Sequence, residues 1–204
     1  MTILFIQSHY QDPFNMGAEP FAEAVAQDLM TVVRETDLRD EHFATARGLI
    51  TTTHLDQIGF QRFIPAVTGF LDHGGRWIYN GHILRPVLPE LSTYIPMPQP
   101  RRADLVQTRV FDHPVFAGVD QTKLETNHGV AGFYGRGHNP LPAGAVAINV
   151  FGPSAVPVDW IWKRPDGGEL LSHAGNEFWG CGDDTDVKRQ LADRAVAWLC
   201  GILN

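Results

Sequence analysis

Cysteine is scarce in this 204-residue chain, which contains only Cys181 and Cys200. The two are not spaced as a CxxC pair, which excludes a disulfide framework and a cysteine-based zinc cluster. So few cysteines are typical of a reducing compartment. The amino terminus also lacks a basic segment followed by a small-residue cleavage site. We therefore predict a cytoplasmic location.

Long hydrophobic runs and excess positive charge are absent as well. No segment reaches the roughly 20 consecutive apolar residues that a membrane-spanning helix needs. The formal net charge is −7, which would repel a phosphate backbone. The glycine-rich loop lacks the GK[ST] ending of a Walker motif, and no GxGxxG motif follows the first strand. These absences predict no membrane partner, no nucleic-acid partner and no nucleotide site.

The composition that is present is typical of a compact globular domain. Apolar residues make up 44% of the chain and charged residues 19%. A chain of this length can bury one substantial core but is short for two. We predict a single domain over 1–204.

Short β-prone runs alternate with helical spacing along the chain, which is the pattern of an α/β fold. The predicted strands are 3–8, 31–36, 48–53, 77–79, 145–151, 159–163 and 169–173. Helices are predicted near 20–29, with Val25 and Leu29 facing the sheet, at 60–71, and at 187–202 with Asp186 as the N-cap. The turn at 166–168 predicts that the last two strands pair as a hairpin.

The stretch from Gly74 to His82 is the strongest local signal. Two glycines end a helix, a short apolar strand follows, and Asn80-Gly81 marks a sharp turn. In open α/β sheets, ligands bind beyond the carboxyl ends of the strands. Asn80 and His82 are therefore predicted to line a pocket. His9, which follows the first strand, and His128, in a glycine-rich loop, are predicted to join them.

Three features occur in order along the chain: Gly74-Gly75 with the following strand and turn, His113-Pro114 with Gly118, and a tryptophan-containing terminal helix. This order gives the chain a resemblance to the class I glutamine amidotransferase-like superfamily, nearest to its trehalose-utilisation (ThuA-like) branch. It implies a flavodoxin-like, mainly parallel sheet with helices on both faces. A fold shared this widely does not by itself fix a function.

The resemblance also implies where the site residues lie. Amidotransferases carry a nucleophilic cysteine at the turn that here holds Asn80 or Gly81, so glutamine hydrolysis is not expected. Their late histidine and glutamate are loosely matched by His173 and Glu177. Members of the ThuA-like branch place a histidine after the turn, which matches His82.

Three kinds of chemistry are compatible with these residues. His173 with Glu177 could act as a general base with an orienting carboxylate, or His173 could simply bond a loop backbone. Two or three imidazoles together with Glu177 could instead hold a divalent metal such as zinc, although the spacing of these histidines matches no metal motif. No other cofactor is predicted. Cys181 could be a nucleophile, but neighbouring aspartates would disfavour its thiolate. The imidazoles considered for the metal are His9, His54, His82 and His128.

Aromatic residues are concentrated in the carboxyl-terminal half. Tyr134, Trp160 and Trp179 offer the flat surface that a sugar would require, although core or interface packing explains them equally well. Arg136 could clamp a carboxylate or phosphate, with a solvated loop arginine as the alternative.

Two functions follow as hypotheses. The first is a hydrolase-like enzyme acting on a small polar, carbohydrate-derived ligand in a pocket that contains His173, Glu177 and His82. The second is a non-catalytic binding or assembly module on the same fold, which would associate as a homo-oligomer.

Overall fold

The computed structural model describes residues 2–8, 18–124 and 130–204. Its strands are β1 (Thr2–Gln7), β2 (Met30–Arg34), β3 (Ala46–Thr51), β4 (Arg76–Asn80), β5 (Ile95–Pro96), β6 (Gln107–Arg109), β7 (Gly137–His138), β8 (Val146–Phe151), β9 (Val156–Lys163) and β10 (Glu169–His173). Its α-helices are α1 (Ala22–Ala26), α2 (Asp40–Thr45), α3 (Gln57–Phe60), α4 (Ile64–Asp72) and α5 (Thr185–Leu199). Short 3-10 turns connect several of these elements.

Eight of the strands form one sheet in the order β2-β1-β3-β4-β10-β9-β8-β6. The first five are parallel to one another, and the last three continue the sheet in antiparallel fashion. The parallel part has the 2-1-3-4-5 strand order of flavodoxin-like sheets, counting β10 as the fifth. The predicted mainly parallel α/β fold is confirmed, and so is the hairpin of β9 and β10.

Each face of the sheet carries its own hydrophobic core. On one face, Phe5, Ile78 and Leu171 pack with residues of α5, including Trp198. On the other face, Leu4, Trp77 and Leu170 pack with residues of α2, α3 and α4. Adjacent residues of one strand serve opposite cores because side chains alternate across a strand. Helices therefore cover both faces, as predicted.

Two helix predictions are wrong. The predicted first helix ends at Ala26, and Asp28 has a φ of 56°, which turns the chain before Leu29. Val25 and Leu29 are consequently exposed. The last helix has Asp184 as its N-cap, because its Oδ1 accepts bonds from the N–H groups of Asp186 and Val187. It ends at Leu199, which leaves Ile202 exposed.

None of the helices within residues 2–8, 18–124 and 130–204 combines the length and the hydrophobicity needed to span a bilayer.

Buried His113 makes stability depend on pH. Its Nδ1 accepts a bond from the N–H of Val115 at 3.3 Å, and its ring packs edge-on against Trp198. Burial, together with the smaller effects of the Lys163 and Arg76 charges, lowers the pKa of His113 from 6.5 to about 4. The unfolded chain therefore binds a proton between about pH 6.5 and pH 4 that the folded chain does not. We expect the free energy of unfolding to fall as the pH drops through this window, by up to about 3 kcal/mol.

The control for this prediction is His113→Asn. Asparagine can still accept the Val115 N–H as an N-cap but does not titrate. Urea denaturation at a series of pH values should show a shallower decline between pH 6.5 and pH 4 for the variant. Equal slopes for the two proteins would contradict the prediction.

Candidate functional site

A row of buried polar side chains crosses the sheet at the carboxyl ends of the parallel strands. Strand register places Asn80 beside His173, His173 beside Asp159, and Asp159 beside Asn149. Extending the register of β1, β3 and β4 by one residue adds Gln7 and Thr52. Residues paired across neighbouring strands point to the same face of a sheet. We call this set the polar row: Gln7, Thr52, Asn80, His173, Asp159 and Asn149. All six are at most 2% exposed.

Asp159 is the hydrogen-bonding centre of the polar row. Its Oδ1 lies 2.6 Å from Nδ1 of His173. Its Oδ2 accepts bonds from the hydroxyl of Tyr134 at 2.8 Å and from Nδ2 of Asn149 at 2.7 Å. A carboxylate only accepts hydrogen bonds, so the bond at Nδ1 fixes the orientation of the His173 ring. The arrangement is that of a histidine held by a carboxylate for proton transfer.

Three buried polar atoms near the carboxyl ends of the parallel strands have no hydrogen-bond partner among the described residues. They are Nε2 of His173, Oγ1 of Thr52 and Nε1 of Trp179. Trp179 follows β10 and packs against Phe178, whose ring also contacts that of His173. Leaving such an atom unsatisfied costs about 1 to 3 kcal/mol, so an unpaired group calls for an explanation, such as a ligand, a water or a catalytic role.

The turn after β4 contains no nucleophile. Nδ2 of Asn80 donates to the carbonyl of Thr51 at 3.0 Å, and its Oδ1 accepts from the N–H of Phe178 at 3.4 Å. Gly81 follows with a φ of 107°, and a Cβ there would lie 3.0 Å from Cα of Thr53. Asn80 therefore joins the loops after β3 and β10, and Gly81 allows the close approach of the chain.

Glu177 lies apart from the His173 side-chain bond. Its Oε1 accepts the N–H of Thr53 at 3.0 Å, while the hydroxyl of Thr53 donates to the carbonyl of Gly175. These bonds connect the end of β3 to the loop after β10. The carboxylate that orients His173 is Asp159, which the sequence analysis did not select.

His82 and Arg136 are exposed and form a patch that begins just beyond the carboxyl end of β4. The ring of His82 stacks on that of Tyr94, with 3.6 Å between ring centroids. Partial burial lowers the pKa of His82, and the charge of His173 lowers it further. Arg136 acts electrostatically on Tyr94 and donates to the carbonyl of Ala131. The patch therefore combines an uncharged imidazole with a guanidinium.

The predicted aromatic ligand contacts are buried. Tyr134 and Trp160 are 0% exposed, and Trp179 is 1% exposed. Trp160 donates to the carbonyl of Asn139 at 2.8 Å and belongs to the core on the face opposite α5. Tyr134 supports Asp159 instead of presenting its ring to solvent.

The remaining predictions from the sequence concern His9, His128, a metal site and Cys181. His9 and His128 lie outside the described residues. Among the residues that are described, no three His, Cys, Asp or Glu side chains are grouped so that they could hold a metal ion. Cys181 is buried, and its thiol lies 3.3 Å from the carbonyl of Glu177.

Asp159 and Asn149 were not among the predicted site residues, although the sequence contains a signal for them. Each lies inside a strand, directly between two apolar residues. A carboxylate inside a buried strand is rare unless it is paired. That rule could have selected Asp159, but only the strand register shows that its partner is His173.

No protein-family model and no curated protein matches the sequence. Solved structures with a similar fold include the mmIFT52 N-terminal domain, which is 15% identical with a TM-score of 0.62 over 98% of this chain and 97% of that chain. Two cytoplasmic proteins are each 12% identical: STM3548 from Salmonella typhimurium, with a TM-score of 0.60 over 97% and 98% of the two chains, and STM1381 from Salmonella typhimurium LT2, with 0.58 over 100% of both. At these identities the likeness shows the α/β fold alone. The resemblance to the amidotransferase-like superfamily stays a prediction, because none of these names refers to it.

Proposed function

We propose that this protein is a hydrolase-like enzyme in which His173 moves a proton for a small polar ligand bound at the polar row. The observation that carries the proposal is the buried Asp159–His173 pair, bonded at Nδ1 and without a partner at Nε2 among the described residues. A general base needs one such nitrogen within reach of the reacting group.

The reaction we propose uses water as the nucleophile, since the turn at Asn80 and Gly81 supplies none. Nε2 of His173 takes a proton from the water as its oxygen bonds to an electrophilic carbon of the ligand. The same proton then passes to the leaving oxygen as the bond between that oxygen and the carbon breaks. Asp159 keeps the ring oriented and stabilises its protonated form.

The proposed ligand class is a polyhydroxyl compound derived from a carbohydrate. Nε1 of Trp179 can only donate, Nε2 of His173 accepts when Nδ1 carries the ring proton, and Oγ1 of Thr52 can do either. Hydroxyl groups donate and accept, so several hydroxyls on one small ligand would satisfy all three atoms. His82 and Arg136 would contact the outer end of such a ligand. We further propose that the protein works in the cytoplasm.

The test is a screen for hydrolysis of nitrophenyl glycosides, nitrophenyl esters and sugar lactones, followed by the variant His173→Asn. The amide nitrogen of asparagine takes the place of Nδ1 and can still donate to Asp159, but nothing replaces Nε2. We expect kcat to fall by a factor of about 10² to 10⁴, the usual contribution of general acid–base catalysis.

The matched control is His73→Asn, which changes a histidine at the far end of α4. His73 bonds the carbonyl of Gly69 through Nδ1 at 2.7 Å, and asparagine can make the same bond. Its kcat should match that of the unchanged protein. If His173→Asn stays folded and turns over the substrate within threefold of the control, the catalytic role of His173 is wrong.

The second candidate is a non-catalytic binding or assembly module, which would include a homo-oligomer. It is favoured by the turn after β4, where both polar atoms of Asn80 are occupied by backbone groups and Gly81 has no side chain. Compounds that bind without turnover, together with concentration-dependent association in sedimentation, would support this candidate. Turnover by a chain that stays monomeric at all concentrations would exclude it.

A further inference from the structure

A cleft lies on the opposite face of the sheet from the polar row. It encloses about 440 Å³ between the segment that follows β2 and the segment that includes α3. Small-molecule sites commonly have volumes of about 300 to 1,000 Å³. The residues that line it are Glu35, Thr36, Leu38, Leu55, Asp56, Gly59, Phe60, Arg62 and Phe63. Its position at the carboxyl ends of β2 and β3 is one where open α/β sheets bind ligands.

The inner wall of the cleft is apolar. Leu38, Leu55, Phe60 and Phe63 are each at most 7% exposed and belong to the core beneath α4. Because their other sides are packed, the surface that they present to the cleft has a fixed shape. Such a wall suits an apolar group of a ligand.

Two carboxylates are held in place at the cleft. Oε2 of Glu35 accepts the N–H of Asp56 at 2.8 Å. Oδ1 of Asp56 accepts the N–H groups of Ile58 and Gly59 at 3.1 and 3.0 Å. Backbone N–H groups orient both carboxylates, and Asp56 has no ion-pair partner among the described residues. A cationic group of a ligand would find a prepared site here.

Arg62 supplies the opposite charge. Its guanidinium lies over the ring of Phe63, 4.7 Å from the centroid. Across the described part of the chain, it has no hydrogen-bond or ion-pair partner, and the side chain is exposed. A planar guanidinium recognises a carboxylate through two parallel hydrogen bonds.

We propose that this cleft binds an α-amino acid with an apolar side chain. The ammonium group would lie by Asp56 and Glu35, the carboxylate by Arg62, and the side chain against Leu38 and Phe60. An anion alone would face the two carboxylates, and a cation alone would leave Arg62 unused. Only a ligand with both charges and an apolar body matches all the groups in the cleft.

The experiment is calorimetric titration of the full chain with three probes of similar shape. L-Phenylalanine carries both charges, L-phenylalaninamide only the positive one, and 3-phenylpropanoate only the negative one. We expect L-phenylalanine to bind most tightly. Arg62→Gln should weaken the binding of L-phenylalanine about two- to fivefold, as expected for an exposed ion pair, and leave the binding of L-phenylalaninamide unchanged.

Three further variants make the result specific. Asp56→Asn keeps an N-cap for α3 and should weaken both ammonium-bearing probes. Arg47→Gln changes an exposed arginine at the amino-terminal end of β3 and should change nothing. His173→Asn should also bind L-phenylalanine normally, which separates this cleft from the proposed catalytic site. The proposal is overturned if L-phenylalanine gives no binding heat at millimolar concentration, if the three probes bind alike, or if folded Arg62→Gln and Asp56→Asn bind as the unchanged chain does.

Discussion

Replacing Asp159 with alanine is expected to lower the free energy of unfolding by about 3 to 5 kcal/mol, because each buried donor left without an acceptor costs about 1 to 3 kcal/mol. The side chain is fully buried and receives bonds from His173, Tyr134 and Asn149. Alanine would leave three buried donors without their acceptor. Urea denaturation followed by tryptophan fluorescence measures the change.

Two substitutions serve as comparisons for Asp159→Ala. Asp159→Asn keeps one acceptor oxygen and should cost less, although its amide would face another donor. Asp166→Ala lies in the exposed turn of the same hairpin and should change stability by no more than about 0.5 kcal/mol. A loss below 1 kcal/mol for Asp159→Ala would show that the polar row is not the buried network described here.

Gly175→Ala is expected to lower the free energy of unfolding by a similar amount, at least about 3 kcal/mol. Overpacking of side chains typically costs about 1 to 3 kcal/mol, and a clash with backbone atoms should cost more because the backbone cannot rotate away. A Cβ at this position would overlap the carbonyl oxygen of Tyr134 and lie 2.7 Å from Nε2 of His173. The loop after β10 would have to move, and with it the position of His173. Thermal and urea denaturation should both report the loss.

The control for Gly175→Ala is Gly180→Ala in the same loop region. A Cβ at Gly180 meets no atom within 4 Å, so its stability should stay within about 0.5 kcal/mol of the unchanged chain. Equal stability of the two variants would mean that the approach of Gly175 to Tyr134 is looser than described.

The positions of seven strands could be predicted because their signals are local, whereas the short strands β5, β6 and β7 were not predicted. The apolar run at Trp77 to Tyr79, bounded by glycines and by Asn80-Gly81, is a strand whatever surrounds it. The turn at 166–168 likewise predicted the pairing of β9 with β10. The short first helix was harder, because Val25 and Leu29 have helical spacing with Phe21 but the chain turns at Asp28.

The composition of the site could not be predicted because it depends on register. His173 and Asp159 are 14 residues apart, and only the antiparallel pairing of β9 with β10 places them side by side. Glu177 looked like the natural partner of His173 from sequence spacing, yet its carboxylate bonds the backbone at Thr53. Aromatic content gave no indication of burial, which is why Trp160 could be taken for a ligand contact.

The most direct test of the account is the position of the proton on the His173 ring, read from the ¹⁵N side-chain signals of the folded protein. When the ring carries a single proton, we predict that it lies on Nδ1, toward Asp159, and that the Nε2 signal moves when a hydrolysed compound is added. His73, assigned through His73→Asn, should show no response to the same compound. A single proton on Nε2 would contradict the account, because that nitrogen could not then accept a proton from water.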